Sequence, residues 1–203
     1  MFSFPQSTKE NAYKKDKPIP ADIAKVAIAD LEKKDSEAVS GVKLSFCTGM
    51  RAEETTCLKV KNIHFTKGEF GFGYVVIVRG PEGGAKGGRP RKIPIIDQEA
   101  QDALKSIVVG KNPEDYVVAK PNGTKMEPGT VEAALREALK ERHGNTYLYN
   151  SCHGLRKTFA QRYYDICREK YDKKQAIAKT NAVLGHGYKR GPQGIKSYVK
   201  NMH

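Results

Sequence analysis

The residues best suited to chemistry lie in one segment, Ser151 to Phe159, which reads SCHGLRKTF. His153 and Arg156 are three positions apart, and residues at that spacing share one face of a helix. A guanidinium offers two parallel hydrogen bonds that fit a phosphate, so this pair of cationic donors predicts a site for an anion. Considered alone, the pair is explained better by a helix cap and a surface ion pair.

Other segments carry matching chemistry in a fixed order along the chain. TGMRAEE places Arg51 one helical turn before Glu54, whose carboxylate can hold the guanidinium in place. The glycine-rich run GPEGGAKGGRPRK carries Lys86, and LGHG places His186 on a tight turn between two glycines. Tyr198 follows near the end of the chain. Each feature has an ordinary structural explanation by itself, and their order is what makes them informative.

The glycine-rich run differs from the phosphate-binding loop of nucleotide hydrolases. That loop needs a Ser or Thr directly after its lysine and a helix beyond it, whereas Gly87 follows Lys86 and a strand pattern comes next. We interpret the run as the flexible tip of a β-hairpin that can lower Lys86 into a groove.

The charge of the chain points to a polyanionic partner. Lys and Arg number 36 against 23 Asp and Glu, which gives a formal net charge of +13 and a pI near 9.5. Nucleic acid is the first expectation and an anionic membrane surface the second. No apolar run approaches membrane-spanning length, and the N-terminus lacks the apolar core of a signal peptide. We therefore expect a cytoplasmic protein.

The length of 203 residues fits one domain, preceded by an arm. Residues 1–19 are basic and end near two prolines, which indicates a linker or arm and is explained equally well by a solvated tail. Residues 20–203 contain the apolar patterns of a core. The four cysteines are scattered without a CxxC pair. We expect reduced, buried thiols, no zinc site and no cofactor.

Apolar spacing predicts the elements that position the candidate residues. Helices are predicted from Pro20, over 38–47, from Asp97, over 130–142, from the His153 segment onward and from Asp172 to LGHG. In the helix that carries His153, the side chains of Leu155, Phe159 and Tyr163 should pack inward. Runs of β-branched and aromatic residues at 60–65, 72–78 and 92–96 predict three short strands.

Taken together, these motifs resemble those of the tyrosine recombinases, the phage-type integrase family. The strings TGMRAEE, GAKGGRPRKIPI, HGLRKTFA and VLGHG each look like a motif of that family, in the family's order, over about residues 20 to 200. The resemblance implies a mixed α+β fold, mostly helical, with a small antiparallel three-stranded sheet whose hairpin overhangs the DNA groove. It also implies that residues 20–203 are the catalytic domain, without the N-terminal core-binding domain that usually precedes it.

The resemblance assigns roles to particular residues. The catalytic set would be Arg51, Lys86, His153, Arg156, His186 and Tyr198. Arg51 and Arg156 would clamp the scissile phosphate with help from His186, and Glu54 would orient Arg51. Tyr198 would attack the phosphorus while His153 accepts its proton and Lys86 protonates the leaving oxygen. Tyr188, the other tyrosine after LGHG, is a weaker choice of nucleophile because it lies so near His186.

The expected function is site-specific DNA recombination or integration through a 3′-phosphotyrosyl intermediate, without metal or ATP. The expected partner is double-stranded DNA at paired sites in the nucleoid, with protomers assembling into a tetrameric synapse. Side chains expected to contact DNA are Arg89, Arg91, Lys92, Lys157, Lys189 and Arg190. Two alternatives remain open: a DNA-binding module with decayed catalysis, and a strand-nicking topoisomerase or telomere resolvase that uses related residues.

Overall fold

The structure is a computed structural model that describes residues 17–79, 84, 90–147 and 150–202. Within that part of the chain, helices dominate and three short strands form one antiparallel sheet, as the sequence predicted. The elements in chain order are α1 (Ala21–Lys33), α2 (Val39–Thr48), α3 (Ala52–Cys57), β1 (Ile63–His64), β2 (Tyr74–Ile77), β3 (Arg91–Pro94), α4 (Gln98–Val108), α5 (Pro128–His143), α6 (Cys152–Lys170) and α7 (Lys173–Val183).

The core lies where α2 packs against α6. α6 buries the apolar face that the sequence predicted, with Leu155 and Phe159 fully buried and Tyr163 1% exposed. α2 ends at Gly49, which is left-handed with φ of 61°, and a Cβ there would lie 2.4 Å from the Phe159 ring. Glycine therefore lets the chain turn close to α6, and this turn delivers Arg51 to the same side of the core.

The sheet has β2 at its centre, paired with β1 and β3. The strands are shorter than predicted, since Val60–Asn62 forms a 3₁₀ turn before β1. Val75 and Ile93 are fully buried, so one face of the sheet closes the core. The register pairs Ile77 with Arg91, which places the first residue of β3 beside α3 and α7.

The predicted starts of two helices, at Asp97 and Asp172, are confirmed. The Asp97 carboxylate accepts a hydrogen bond from the backbone N–H of Ala100 at 2.8 Å, and Asp172 accepts one from Gln175 at 2.7 Å. These bonds fix the starts of α4 and α7. The four cysteines are free thiols, three of them buried. None of the helices in the described ranges is long and apolar enough to cross a bilayer.

The segment after α7 is a series of tight turns. 3₁₀ turns at Tyr188–Arg190 and Pro192–Gly194 lead to Ile195, whose carbonyl accepts hydrogen bonds from the N–H groups of Tyr198 and Val199, both at 2.8 Å. Ile195 and Val199 are buried at 0% and 1% exposure. This short turn thus anchors Tyr198 against the core.

Candidate active site

Tyr198 lies where three other predicted site residues, His153, Arg156 and His186, come together. Its ring centroid is 5.3 Å from that of His153 and 5.2 Å from that of His186. The guanidinium carbon of Arg156 is 5.6 Å from the same ring. Residues from α6, from the turn after α7 and from the C-terminal turn therefore share one small volume, with the phenol half-buried among them.

Arg156 is the most deeply buried cation of the site, with 1% exposure. Its Nη1 donates to the carbonyl of Gly49 at 2.6 Å, and its Nη2 donates to the carbonyl of Leu184. Its Nε makes no hydrogen bond within the described part of the chain. Burial, and then the charge of Arg51, lowers the pKa of Arg156 to about 10, so the group is still cationic at neutral pH. A buried cation whose acceptors are uncharged favours an anion as its further partner.

Arg51 occupies the N-cap position of α3 and is held by Glu54, as the sequence predicted. Its backbone N–H donates to Oε2 of Glu54 at 2.9 Å, and its Nη1 lies 3.2 Å from Oε1. The Arg51 side chain is 29% exposed, whereas that of Glu54 is fully buried. Arg51 therefore keeps part of its guanidinium accessible while its base is fixed.

Arg91 supplies a second and closer partner for Glu54. Its Nη1 and Nη2 donate to the two carboxylate oxygens at 2.8 and 2.7 Å, and its Nε donates to the carbonyl of Val183 at 2.7 Å. Burial of Glu54 opposes its ionisation, but hydrogen bonds and charge from Arg91 outweigh burial and lower the pKa of this carboxyl. The sequence suggested DNA contact for Arg91. Its side chain is 8% exposed and turns inward, so it does not present charge to the surface.

His186 is fixed by the turns on both sides of it. Its Nδ1 lies 2.7 Å from the carbonyl oxygen of Gly194, and its backbone N–H donates to the carbonyl of Asn181 at 2.8 Å. Burial, and then the charge of Arg156, lowers the pKa of His186 to about 4. The imidazole is therefore neutral at pH 7. Since a carbonyl can only accept, Nδ1 carries the hydrogen and Nε2 is a proton acceptor.

His153 lies in the first turn of α6. Ser151 caps the helix by accepting a hydrogen bond from the backbone N–H of His153 at 3.2 Å. Burial lowers the pKa of His153 to about 4, with further contributions from the charges of Lys157 and Arg156. Both imidazoles that flank Tyr198 are thus unprotonated at neutral pH, which is the state in which a histidine can act as a general base.

The other predicted DNA contacts fall into three groups. Lys92, Lys189 and Arg190 are exposed, and Lys92 lies over the ring of Tyr74 with Nζ 4.7 Å from its centroid. Lys157 is only 7% exposed, which does not suit the surface contact expected of it. Arg89, the remaining predicted contact, lies outside the described residues, as does Lys86, the predicted catalytic lysine.

Sequence reasoning missed how the turns that carry His186 are held. The pairing of Arg91 with Glu54 joins residues 37 positions apart, and its contact with Val183 spans 92 positions. No local spacing rule reports such contacts. Within the described ranges, no group of three or more His, Cys, Asp or Glu side chains is placed to hold a metal ion.

The chain belongs to the phage integrase family, the class that comprises the tyrosine recombinases. The model of that family matches residues 22–176. The match includes Arg51, His153 and Arg156 but stops before His186 and Tyr198, so the placement of those two rests on the geometry above. A comparison with curated proteins gave no significant match.

Solved structures of recombinases share this fold. The XerA recombinase is 20% identical with a TM-score of 0.62, covering 91% of this chain and 60% of that one. A lambda integrase dimer bound to a COC′ core site is 19% identical with a TM-score of 0.61, covering 90% and 47%. The Tn1549 transposon integrase in complex with circular intermediate DNA is 16% identical with a TM-score of 0.59, covering 92% and 62%. The chain thus spans about half to three-fifths of these proteins.

Proposed function

We propose that this protein is a site-specific DNA recombinase or integrase that breaks and rejoins DNA through a 3′-phosphotyrosyl intermediate, without metal or ATP. The observation that carries the proposal is the position of the Tyr198 ring, which lies between two neutral imidazoles and beside the buried cation of Arg156. A nucleophile, proton acceptors and an anion receptor are the components that phosphoryl transfer to a phenol requires.

The nucleophilic step uses Tyr198 and His153. A protonated phenol is a weak nucleophile, so its proton must leave as its oxygen attacks the scissile phosphorus. The neutral ring of His153 accepts that proton. The new bond joins the phenol oxygen to phosphorus, and the bond from phosphorus to the 5′-oxygen breaks. The phosphotyrosyl ester retains a phosphodiester bond, so reversal of the same step rejoins the strand without ATP.

The two arginines stabilise the charge that develops on the non-bridging oxygens. Arg156 has an Nε–H that makes no hydrogen bond within the described residues, and Arg51 is partly exposed beside it. Donors already in place cost little reorganisation when the pentacoordinate phosphorus forms. This arrangement supplies the electrostatic stabilisation without a metal ion.

His186 contributes in a state that depends on the bound phosphate. With Nδ1–H donating to Gly194, its Nε2 is a proton acceptor in the structure described. Donation from Nε2 to a phosphate oxygen requires a second proton on the ring. A phosphate anion raises the pKa of a neighbouring histidine, so DNA binding favours that imidazolium.

Lys86 is proposed as the general acid for the leaving 5′-oxygen. Lys86 itself lies outside the described residues, but Gly84, two residues before it, lies against the first turn of α3. A Cβ at Gly84 would lie 2.5 Å from the carbonyl oxygen of Glu53. This close approach brings the chain, two residues before Lys86, to the start of α3 beside Arg51.

The partner in this proposal is double-stranded DNA, bound by several protomers on paired sites in the nucleoid. Exposed Lys92, Lys189 and Arg190 supply phosphate contacts around the site. Among the proteins of the same fold, a lambda integrase has been solved as a dimer on a core site and as a tetramer on a Holliday junction. We propose a tetrameric synapse for this chain as well.

The test is formation of a covalent protein–DNA complex on a duplex with a bridging 5′-phosphorothiolate. We expect the wild-type protein to become trapped on the DNA and Tyr198→Phe to bind the duplex without trapping. A bridging sulfur leaves without a proton, so Lys86→Ala should cleave this substrate but not the all-oxygen duplex.

Three results would contradict the proposal. DNA binding without any trapping by the wild-type protein would indicate a module with decayed catalysis. Trapping by Tyr198→Phe would remove Tyr198 as the nucleophile. Relaxation of supercoiled DNA at no defined site would indicate a topoisomerase instead.

A further inference from the structure

Arg91 connects two separate parts of the site through one guanidinium. One edge of the fork binds both carboxylate oxygens of Glu54, which also holds Arg51. The Nε–H binds the carbonyl of Val183, three residues before His186. A single side chain on β3 therefore links the start of α3 to the end of α7.

The turn that carries His186 rests directly on this guanidinium. A Cβ at Gly185 would lie 3.3 to 3.5 Å from Nη1, Cζ and Nε of Arg91, and Gly185 has φ of +70°. Arg156 binds the next carbonyl in the chain, that of Leu184. The turn is thus held by two arginines at successive carbonyls, and only Arg91 also binds the carboxylate that fixes Arg51.

We propose that Arg91 is a positioning residue for DNA cleavage, which sets the place of His186 relative to Arg51 by binding Glu54 and Val183 together. This inference rests on the proposed function for its catalytic consequence. The hydrogen bonds of the Arg91 guanidinium go to Glu54 and Val183, and its side chain, at 8% exposure, is too buried to act as a surface contact for DNA. Its effect passes through Glu54 and through the carbonyl of Val183.

The test uses Arg91→Gln, which removes the charge, and Arg91→Lys, which keeps a charge opposite Glu54 and protects folding. A lysine cannot bind both carboxylate oxygens and a separate carbonyl in the fixed geometry of a fork. The matched control is Arg142→Gln, which removes another arginine–carboxylate pair, with Asp30, between α1 and α5. Each protein is checked for cooperative thermal unfolding before its kinetics are measured.

The kinetic readout separates positioning from DNA binding. At saturating protein, we expect the rate of covalent-complex formation to fall roughly 100-fold in Arg91→Gln, the loss typical of a displacement near 1 Å, and nearly as far in Arg91→Lys. The affinity for the duplex should change less than roughly threefold, because no phosphate contact is lost. Arg142→Gln should cleave at the wild-type rate.

A second readout needs no DNA. The His186 ring can be titrated by NMR, and its pKa of about 4 in the native protein reflects burial first and then the charge of Arg156. If Arg91→Lys releases the turn, water reaches the ring and the pKa of His186 rises toward the ordinary value near 6.5. The same titration in Arg142→Gln should match the wild-type protein.

The outcomes separate the two claims. If the wild-type protein cleaves DNA and a folded Arg91→Lys cleaves as fast as Arg142→Gln, the positioning role is wrong and the proposed function stands. An unchanged His186 pKa in Arg91→Lys also overturns the positioning role. A raised pKa combined with no cleavage by the wild-type protein would uphold the link between Arg91 and the turn and overturn the proposed function.

Discussion

The regions around Glu54 and around Leu184 each contain a buried arginine, and the two arginines lie in opposite electrostatic surroundings. Arg91 faces a carboxylate that accepts two of its hydrogen bonds. Arg156 faces the carbonyls of Gly49 and Leu184, which carry no net charge. Both reach the same short turn. Each guanidinium nitrogen of Arg91 donates a hydrogen bond, whereas Nε of Arg156 makes none in the described part of the chain.

This difference in surroundings suits the two arginines to different roles. A cation already paired with a carboxylate has its charge compensated, so it stabilises the fold and holds other groups in place. A buried cation with only neutral acceptors attracts an anion strongly, because the cation has already lost its hydrating water during folding. Arg91 is therefore suited to hold other groups in place, as we propose, and Arg156 is suited to bind an anion.

The largest effect is expected when the charge of Glu54, the counter-ion of Arg91, is removed. Glu54→Gln leaves Arg91 buried without its counter-ion, and removing one partner of such a pair typically costs about 3–5 kcal/mol in the free energy of unfolding. Urea denaturation at pH 7 measures the loss. Because the pKa of Glu54 is lowered in the fold, its contribution is present above its ordinary pKa of about 4.5 and is lost as the pH falls through the folded value.

The control for that experiment is Asp30→Asn, which breaks the exposed pair with Arg142. We expect a much smaller change, since exposed pairs contribute little. Equal losses in the free energy of unfolding of Glu54→Gln and Asp30→Asn would show that the buried pair of Glu54 and Arg91 contributes no more to stability than an exposed ion pair.

The next largest effect is expected from a substitution of Arg156, and it tests whether this arginine differs from Arg91 in sensing phosphate charge. Arg156→Lys keeps the charge but loses the fork, and we expect the cleavage rate to fall roughly 10²–10³-fold, as when one transition-state donor is removed. A duplex with an uncharged methylphosphonate at the scissile position lacks the charge that Arg156 stabilises. On that substrate Arg156→Lys should approach the wild-type rate, whereas Arg91→Lys should stay slow because its defect is positional.

The opposite pattern on the methylphosphonate duplex would reverse the assignment. If Arg91→Lys recovers and Arg156→Lys does not, Arg91 is the residue that senses phosphate charge. Single-turnover trapping at saturating protein keeps DNA affinity out of the comparison.

Short-range patterns predicted one part of this site well. The spacing of His153 and Arg156, the Arg51–Glu54 pair and the apolar face of α6 all follow from helical periodicity, which residues three or four apart obey wherever a helix forms. The left-handed turn at Gly49 follows from a local rule of the same kind, since glycine is the residue that most often ends a helix in this way.

Long-range contacts explain what the sequence could not predict. Arg91 looked like one more basic residue of a hairpin, and nothing nearby in the sequence distinguishes it from exposed Lys92. Its role depends on β3 meeting both α3 and α7, a tertiary arrangement that no local pattern encodes. The burial of Lys157 also depends on tertiary packing, because α6 is buried on more than its apolar face.

A smaller effect is expected from crowding the turn that leads to Tyr198. A Cβ at Gly194 would lie 2.0 Å from Oδ1 of Asn181, whose amide Nδ2 donates to Gly191 at 2.7 Å and so cannot easily move. We expect Gly194→Ala to cost about 1–3 kcal/mol of stability, as overpacking does. Displacement of His186 and Tyr198 should also slow cleavage roughly tenfold.

Gly129→Ala is the matched control, because a Cβ there meets no atom within 4 Å. It should leave stability and cleavage close to those of the wild-type protein. Full cleavage by Gly194→Ala would show that the packing between Gly194 and Asn181 does not position the nucleophile.

The smallest expected effect concerns the charge around His153. Lys157 contributes to the low pKa of His153, so Lys157→Gln should raise that pKa, and NMR titration of the ring can measure the change. Since His153 must be neutral to accept the phenol proton, the variant should lose activity only at acidic pH, by less than roughly threefold, and match the wild-type protein at pH 7.5.

Lys170→Gln, the same change at an exposed position of α6, should leave both the pKa of His153 and the pH dependence of the cleavage rate unchanged. A Lys157→Gln protein that is equally slow at every pH would indicate that Lys157 supports α6 by packing rather than through its charge.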